Sequence, residues 1–270
     1  MSTSEEIALM AHLLRRAGFG ANRDELETYL VKGYAGTVEE LLNPEGQPAF
    51  EDDLIYRYIP YLRSGTSLQG FQCYWMYRMI STRRPLEEKM AFFWHHLFAT
   101  AFSKLNHAPQ MNQQVAMLRR LGMGNLRTLL VELSRDPAMI FWLDNCENHK
   151  GAPNENYGRE LLELFSMGVG NYTEDDVKAC ARAFTGWTIS PGLPRYPYGE
   201  YLWEFEYRPE DHDDTEKAFL GQRGRFNGED IIDIIVRNPA TALYIAKRLY
   251  TFFVADEADQ AAINILADSY

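Results

Sequence analysis

The stretch Pro85–Phe102, PLEEKMAFFWHHLFATAF, decides the fold class of this 270-residue chain. Pro85 and the two glutamates that follow are typical of the first turn of a helix, where proline loses no hydrogen bond and acids face the positive end of the helix dipole. Further on, apolar side chains cover most of the circumference at 3.6 residues per turn. A helix that is apolar all round is buried. We therefore predict a buried helix over residues 86–102, enclosed by other helices.

Helix signals recur on both sides of this segment. The pairs Ser2–Glu5, Asn22–Glu25 and Thr37–Glu40 each place a capping side chain three residues before an acid, which predicts a helix start. Gly33 is the type of residue that ends a helix. Further helices are predicted at about 50–63, 67–82, 109–121, 125–134, 137–144, 154–167, 173–185, 228–236, 239–254 and from 256 onward.

The texture changes between Ser190 and Asp214, where four prolines interrupt any helix and alternation from Trp203 onward predicts a short strand or hairpin. The predicted fold is mainly α, a multi-helix bundle with a short irregular or β-hairpin insertion around 190–214. We expect one domain, 1–270, with a core at 1–187, a Pro-rich irregular segment at 188–215 and C-terminal helices at 216–270. The last helical pattern runs to Tyr270 without a stop signal, so we expect it to be truncated or the domain to be a short version.

The composition excludes several classes of function. With 27 Lys+Arg against 38 Asp+Glu, the net charge of −11 argues against a general nucleic-acid or anionic-membrane binder, which needs a basic field. No apolar run approaches the ~18 residues of a membrane span, and the N-terminus lacks the features of a signal peptide. We therefore expect a soluble, cytoplasmic protein. The widely spaced Cys73, Cys146 and Cys180 predict reduced thiols.

Two histidines on the buried helix are the first candidates for a functional site. His95 and His96 lie on a segment that should be mostly out of water, where an imidazole needs a hydrogen-bond partner or a metal. One interpretation is structural, with the ring bonded to a carboxylate or a carbonyl. The other is a role in proton transfer or ligand binding.

The helix at 154–167 carries the second group of candidates. At 100° per residue, Asn156, Glu160 and Glu163 lie within about 60° of each other, with Arg159 alongside. This stripe is either a solvated face or, if it meets the histidine helix, part of a buried Asn/Glu/Arg/His cluster. In the second case a glutamate serves as general base or metal ligand, His95 as acid, base or ligand, and Arg159 orients an anionic group. The predicted catalytic residues are Glu160, Glu163, His95 and Arg159, and the further candidates are Asn154, Asn156, His96, His212 and Asp213.

The absence of several sequence motifs argues against particular cofactors. No G-x-G-x-x-G, G-x-x-x-x-G-K-[ST] or C-x-x-C-H occurs, so we expect neither a dinucleotide nor covalent haem. H-E-x-x-H and E-x-x-H are missing as well. A divalent metal therefore stays a hypothesis without an assigned set of ligands. His212 and Asp213 belong to an acidic loop segment that is either functional or a solvated turn.

Several segments together resemble a bacterial family catalogued as domain of unknown function 1800. They are the stretches His12–Gly20 (HLLRRAGFG), Phe93–Thr100 (FWHHLFAT), Asn154–Phe165 (NENYGRELLELF), Gly168–Val177 (GVGNYTEDDV), Ala181–Trp187 (ARAFTGW) and Pro239–Ala242 (PATA). The resemblance implies a mostly helical bacterial protein but carries no established activity. Members often show a second histidine where this chain has Leu97, which weakens a two-histidine metal site. A neighbouring sulfatase-like family is implied as a protein partner. The functional alternatives are an enzyme or metal-site protein, and a non-enzymatic assembly partner whose polar cluster is structural.

Overall fold

The computed structural model describes residues 3–58, 67–190 and 202–270, and the mainly α class is confirmed. Fourteen α-helices and two small antiparallel sheets lie in these described ranges. The helices are α1 (Thr3–Arg16), α2 (Arg23–Leu42), α3 (Asp52–Tyr58), α4 (Leu68–Ser81), α5 (Pro85–Leu97), α6 (Phe102–Leu105), α7 (Ala108–Leu121), α8 (Leu126–Ser134), α9 (Pro137–Trp142), α10 (Asn156–Glu160), α11 (Glu174–Ala183), α12 (Gly228–Val236), α13 (Pro239–Phe253) and α14 (Gln260–Asp268). The strands are β1 (Trp187–Ser190), β2 (Glu204–Tyr207), β3 (Lys217–Phe219) and β4 (Gln222–Gly224).

Capping signals located some helix starts correctly and misplaced another. Asn22 and Glu25 form the predicted capping box at the start of α2. Thr37 is not a cap: it lies buried inside α2, where its hydroxyl donates to the carbonyl of Gly33 at 2.9 Å. Gly33 interrupts α2 with φ at +75°, a conformation that glycine adopts without strain. Helical conformation resumes directly after Gly33, so Thr37 lies inside the helix and not at its start. Ser2 lies outside the described residues.

The main core forms where α5 meets α8, α11 and α12. Phe93, Phe98, Leu130 and Cys180 are all at most 2% exposed. The predicted helix to residue 102 is too long, because α5 ends at Leu97 and the chain then turns Phe98 into the core. There its ring lies 5.1 Å from that of Trp94. The prediction that this helix is buried is correct for the side of α5 that faces the core, whereas Phe92 and His96 are exposed.

A close contact between α10 and α11 positions the polar helix. Gly158 faces α11 so closely that a Cβ built on it would lie 3.0 Å from the backbone nitrogen of Ala181 and 3.3 Å from the carbonyl oxygen of Val177. A Cβ at this distance would require the two backbones to move apart by a few tenths of an ångström. After Glu160 the chain continues as a π-helix over Leu161–Ser166, a form that occurs often at functional sites.

Two hairpins follow α11. β1 pairs with β2, with Trp187 opposite Tyr207 and Ser190 opposite Glu204, so the predicted hairpin is confirmed, although its first strand begins before the Pro-rich segment. β3 pairs with β4 between residues 216 and 227, at the start of the segment predicted to hold the C-terminal helices and before the first of them. The sequence pattern did not indicate this hairpin, which forms because Leu220 and Gly221 both adopt positive φ, the conformation of a two-residue hairpin turn. Residues 191–201 of the insertion lie outside the described ranges.

The helix α13 lies against α5 and runs in the opposite direction. The ring of Phe252, near the end of α13, is 5.2 Å from that of Phe93. Arg248, one turn earlier on α13, lines a cavity together with His96, which lies later on α5. One side of α5 and one side of α13 therefore form the two walls of a groove.

Candidate functional site

The predicted catalytic histidine His95 points into a helix interface. Its ring lies 5.3 Å from that of Trp75 on α4. Its Nδ1 is shielded from solvent and has no hydrogen-bond partner among the residues that the structure describes. Burial lowers the pKa of His95, and the neighbouring His96 lowers it further. A neutral imidazole packed on an indole is therefore the dominant state at neutral pH.

A buried carboxylate that sequence reasoning missed lies two turns before His95. Glu88 has no exposed surface, and its Oε1 accepts Nε of Arg78 at 2.8 Å and Nε of Arg119 at 2.5 Å. Its Oε2 accepts the indole N–H of Trp75 at 3.2 Å. From the sequence Glu88 was interpreted only as helix-start chemistry. The signal that points to more is the pair Trp75 and Arg78, which share one face of α4 at a spacing of three.

The predicted polar helix splits into separate interactions. Arg159 donates to Glu174 at 2.8 and 2.7 Å and to Glu155 at 3.2 Å. Glu163 accepts the hydroxyl of Tyr172 at 2.8 Å. Glu160 is half-buried, and its pKa is raised by burial and then by the charge of Glu163, against the opposing effect of Arg159. Arg159 is thus held at the start of α11 by carboxylates of its own chain.

The asparagines of this region form a structural ladder. The side-chain amide of Asn148 donates to Asn145 and to the carbonyl of Ala181, at 3.1 and 2.8 Å. Its carbonyl accepts the backbone N–H of Asn154, and Asn154 in turn accepts that of Asn156, both at 3.0 Å. The amide of Asn156 donates to the carbonyl of Leu143 at 3.1 Å. These bonds tie the loop before α10 to α9 and α11.

His212 and Asp213 close a second network. The ring of His212 lies 2.9 Å from the carbonyl oxygen of Thr185 through Nδ1, and Asp213 accepts Nε of Arg182 at 2.7 Å. Burial alone raises the pKa of Asp213, but hydrogen bonds from Arg182 and Thr215 outweigh it and hold that pKa well below its usual range. Both residues are buried. They fasten the loop after β2 to the end of α11.

Within the described ranges a hydrogen bond joins Asn154 to Asn156, but none joins the predicted catalytic residues to each other. No hydrogen bond or ion pair within the described ranges links His95 to Glu160, Glu163 or Arg159. Four of the candidates hold loops or helix ends in place, namely Asn154, Asn156, His212 and Asp213. The catalytic roles assigned to the others stay predictions.

His96, unlike His95, faces a cavity. The cavity is about 350 Å³ and lies in the α5/α13 groove; its lining residues are Phe93, His96, Leu97, Leu164, Arg248, Thr251 and Phe252. A second cavity of about 740 Å³ adjoins it through Arg248 and Thr251 and also contains Lys247. The lining of the smaller cavity combines apolar side chains with two nitrogen-bearing ones, His96 and Arg248. We call this region, from α5 to α13 and the π-helix, the α5/α13 groove.

Arg248 is held in place by a chain of hydrogen bonds. Its guanidinium donates to the hydroxyl of Tyr244 at 2.9 Å and lies 4.9 Å from the centre of that ring. The same hydroxyl donates to the carbonyl of Leu164 at 2.6 Å. Leu164 belongs to the π-helix, so this segment fixes the position of Arg248. Within the described residues no carboxylate pairs with Arg248.

The described ranges contain no helix that is both long and apolar enough to cross a membrane. No group of three or more His, Cys, Asp or Glu side chains is arranged there to hold a metal ion. The three cysteines are free thiols, as predicted.

The model of a family described as protein of unknown function (DUF1800) matches residues 12–270. No match was found among the curated proteins or among the solved structures.

Proposed function

Because the chain belongs to the DUF1800 family of proteins of unknown function, we propose a function from its geometry: the α5/α13 groove binds a small anionic molecule with an apolar part. The observation that carries this proposal is the guanidinium of Arg248. It is oriented by Tyr244, has no carboxylate partner in the described part of the chain, and lines a cavity beside His96.

Charge supports an anionic ligand at this place. The chain as a whole carries a net charge of −11, yet Arg248, Lys247 and His96 border the two adjoining cavities. Guanidinium binds carboxylate and phosphate in a planar, two-pronged geometry. The Tyr244 hydroxyl reduces the freedom that Arg248 would lose on binding, which favours affinity.

The floor of the groove supports an apolar part in the ligand. Phe93 is 2% exposed, and Phe252, Leu97 and Leu164 complete the lining with it. Ligand sites generally combine such an apolar lining with a few polar groups that fix orientation. An aromatic or aliphatic acid has this pattern of chemistry.

In the enzyme form of this proposal, His96 exchanges a proton with the bound molecule. The exposed ring of His96 lines the same cavity as Arg248, and histidine is the side chain that most often acts as a general acid or base. The predicted role of Glu160 as general base or metal ligand is a separate hypothesis, for a carboxyl group whose pKa is raised by burial and then by Glu163. The earlier roles for His95, Glu163 and Arg159, a divalent metal, and a sulfatase-like partner remain separate hypotheses.

The assembly function stays as the alternative because the asparagine ladder and the His212/Asp213 network account for four predicted site residues by structural bonds alone. In that case the groove is not required to bind a small molecule. The two functions differ in one measurable property, the affinity of the groove for organic anions.

The test is an NMR titration with benzoate, using benzyl alcohol as the uncharged control. We expect benzoate to shift the signals of groove residues, and Arg248→Ala to weaken binding by about ten- to a hundredfold, the range of a charge-assisted hydrogen bond. Arg248→Lys should retain part of the affinity. The matched control is Arg223→Ala, because Arg223 is an exposed arginine on β4, outside the groove. Equal affinities of the two alanine variants, or of benzoate and benzyl alcohol, would refute the proposal.

A further inference from the structure

A second basic side chain without an acidic partner lies at the other end of the groove. The ammonium of Lys89 on α5 is 5.2 Å from the ring centre of Phe19 and 5.5 Å from that of Phe252. The structure gives it neither a hydrogen-bond acceptor nor a carboxylate within the described ranges. Two aromatic faces therefore hold an ammonium whose three N–H donors are unused.

The end of α1 adds another positive charge here. Arg16 lies in the last turn of α1, close enough to Lys89 for their like charges to repel. Burial lowers the pKa of Lys89, and Arg16 lowers it further. The loop after α1 is seated on α5, since a Cβ at Gly18 would lie 2.9 Å from Cβ of Pro85. This contact keeps Phe19 and Arg16 beside Lys89.

One face of α5 connects the two basic ends. Lys89, Phe93 and His96 follow each other at spacings of four and three residues, so they lie on the same side of the helix. Phe252 contacts the Lys89 ammonium and the Phe93 ring and lines the cavity that contains His96 and Arg248. Positive ends thus flank an aromatic middle.

We propose that the ligand of the α5/α13 groove is an elongated dianion, with one acidic group at Arg248 and His96 and the other at Lys89 and Arg16. This inference rests on the proposed function. Lys89 and His96 are seven positions apart on α5, which separates their backbone positions by about 10 Å at 1.5 Å per residue. A chain-like dicarboxylate, or an acid with a terminal phosphate and an apolar middle, has the matching chemistry.

The charges at Lys89 and Arg16 explain why a second acidic group should increase the affinity of the ligand. Lys89 and Arg16 repel each other, and a bound carboxylate between them removes that repulsion while accepting hydrogen bonds from both. The gain is electrostatic in part, so salt should weaken it. A monoanion satisfies only one end of the groove.

The experiment compares octanedioate with octanoate by calorimetry at one ionic strength. We expect octanedioate to bind about tenfold more tightly than octanoate. This factor corresponds to one additional charge-assisted hydrogen bond, weakened because the site is open to solvent. Butanedioate, which is too short to span about 10 Å, should show no such advantage. In Lys89→Gln the ratio of the two dissociation constants should fall toward one. The exposed Lys178→Gln should keep the ratio.

The outcomes separate this inference from the proposed function. If octanoate binds as tightly as octanedioate and Arg248→Ala weakens both, the anion site stands and the dianion inference is wrong. A ratio that persists in Lys89→Gln also contradicts the inference. If Arg248→Ala leaves every affinity unchanged, the proposed function fails. Thermal unfolding of each variant checks that its fold is intact.

Discussion

The guanidinium of Arg119, in the last turn of α7, donates to the fully buried carboxylate of Glu88 on α5 at 2.5 Å. Arg78 on α4 donates to the same oxygen, so a single carboxylate joins three helices. This charged network therefore holds α5, one wall of the groove, against α4 and α7. Removing one member of such a network lowers the stability of the fold strongly, because the remaining charges stay buried.

Removing the carboxylate should destabilise the fold strongly. We expect Glu88→Ala to lower the free energy of unfolding by about 3–5 kcal/mol, since Arg119 would lose its carboxylate in a largely buried position and Arg78 would keep only its pair with the partly exposed Asp52. Urea denaturation measures this change. The control is Glu27→Ala, because Glu27 pairs with Arg23 on an exposed surface, where a pair contributes under about 1 kcal/mol. Similar losses in both variants would contradict the role assigned to Glu88.

Gly158 should not tolerate even a methyl group. Its Cβ would lie 3.0 Å from the backbone nitrogen of Ala181, so Gly158→Ala must push α10 from α11, and we expect a loss of about 1–3 kcal/mol in unfolding free energy. Gly36→Ala is the matched control within α2, because its Cβ would meet only the side chain of Lys32, at 3.7 Å. There the gain in helix propensity, up to about 1 kcal/mol, should dominate. Chemical denaturation distinguishes these opposite signs.

Asp136 should make stability depend on pH. Burial raises the pKa of Asp136 from 3.8 to about 7, although hydrogen bonds from Met139 and Gln114 oppose this rise. Because the folded state holds a proton that the unfolded state releases, the stabilisation is complete below about pH 4 and is lost as pH rises through about 7. Asp136→Asn should flatten the dependence of unfolding free energy on pH in this interval while keeping an N-capping side chain. An unchanged slope in the variant would assign the dependence to other groups.

His95 should be replaceable by a ring of similar size. Its Nδ1 has no partner in the described part of the chain, so His95→Phe removes an unsatisfied polar atom and should leave unfolding free energy equal or higher by about 1 kcal/mol. His95→Ala should cost about 2–4 kcal/mol by opening a cavity beside Trp75. Thermal and urea unfolding compare the two. If both variants lose stability equally, the imidazole makes a bond that the fold needs.

The pH dependence of His95 has the opposite sign to that of Asp136. Burial and then His96 lower the pKa of His95 below 6.5. Its contribution is therefore present above about pH 6.5 and is lost as pH falls, because the unfolded state takes up the proton first. His95→Phe should remove this loss on the acidic side. The two residues can be separated by measuring unfolding free energy from pH 4 to pH 8 in each variant.

Local patterns predicted the elements whose signals are local. The capping box at Asn22 and Glu25 and the strand after Trp203 depend on neighbouring residues, and both were located correctly. The predicted helix start at Thr37 was wrong, because a threonine hydroxyl can cap a helix or donate to a backbone carbonyl inside one. The β3/β4 hairpin was missed because its strands are only three residues each, too short to show alternation.

The site was harder to predict because it depends on tertiary contacts. The sequence placed His95 and His96 on one helix, but which one faces a cavity is decided by the packing of α4 and α13. Nothing near Arg248 in the sequence shows that Tyr244 reaches the carbonyl of Leu164, 80 positions away. The partners of Glu88 lie on α4 and α7, 10 to 31 positions away, so the helix-start pattern around Glu88 alone did not indicate its burial.

The π-helix at Leu161–Ser166 behaves as a one-residue insertion in an otherwise α-helical segment. Deleting one residue there would restore α-helical phase, but would turn everything before it by about 100° relative to Phe165. Arg159 would then leave Glu174, and Gly158 would no longer face Ala181. The length of this segment thus sets which face of α10 meets α11, as much as the glycine at position 158 does.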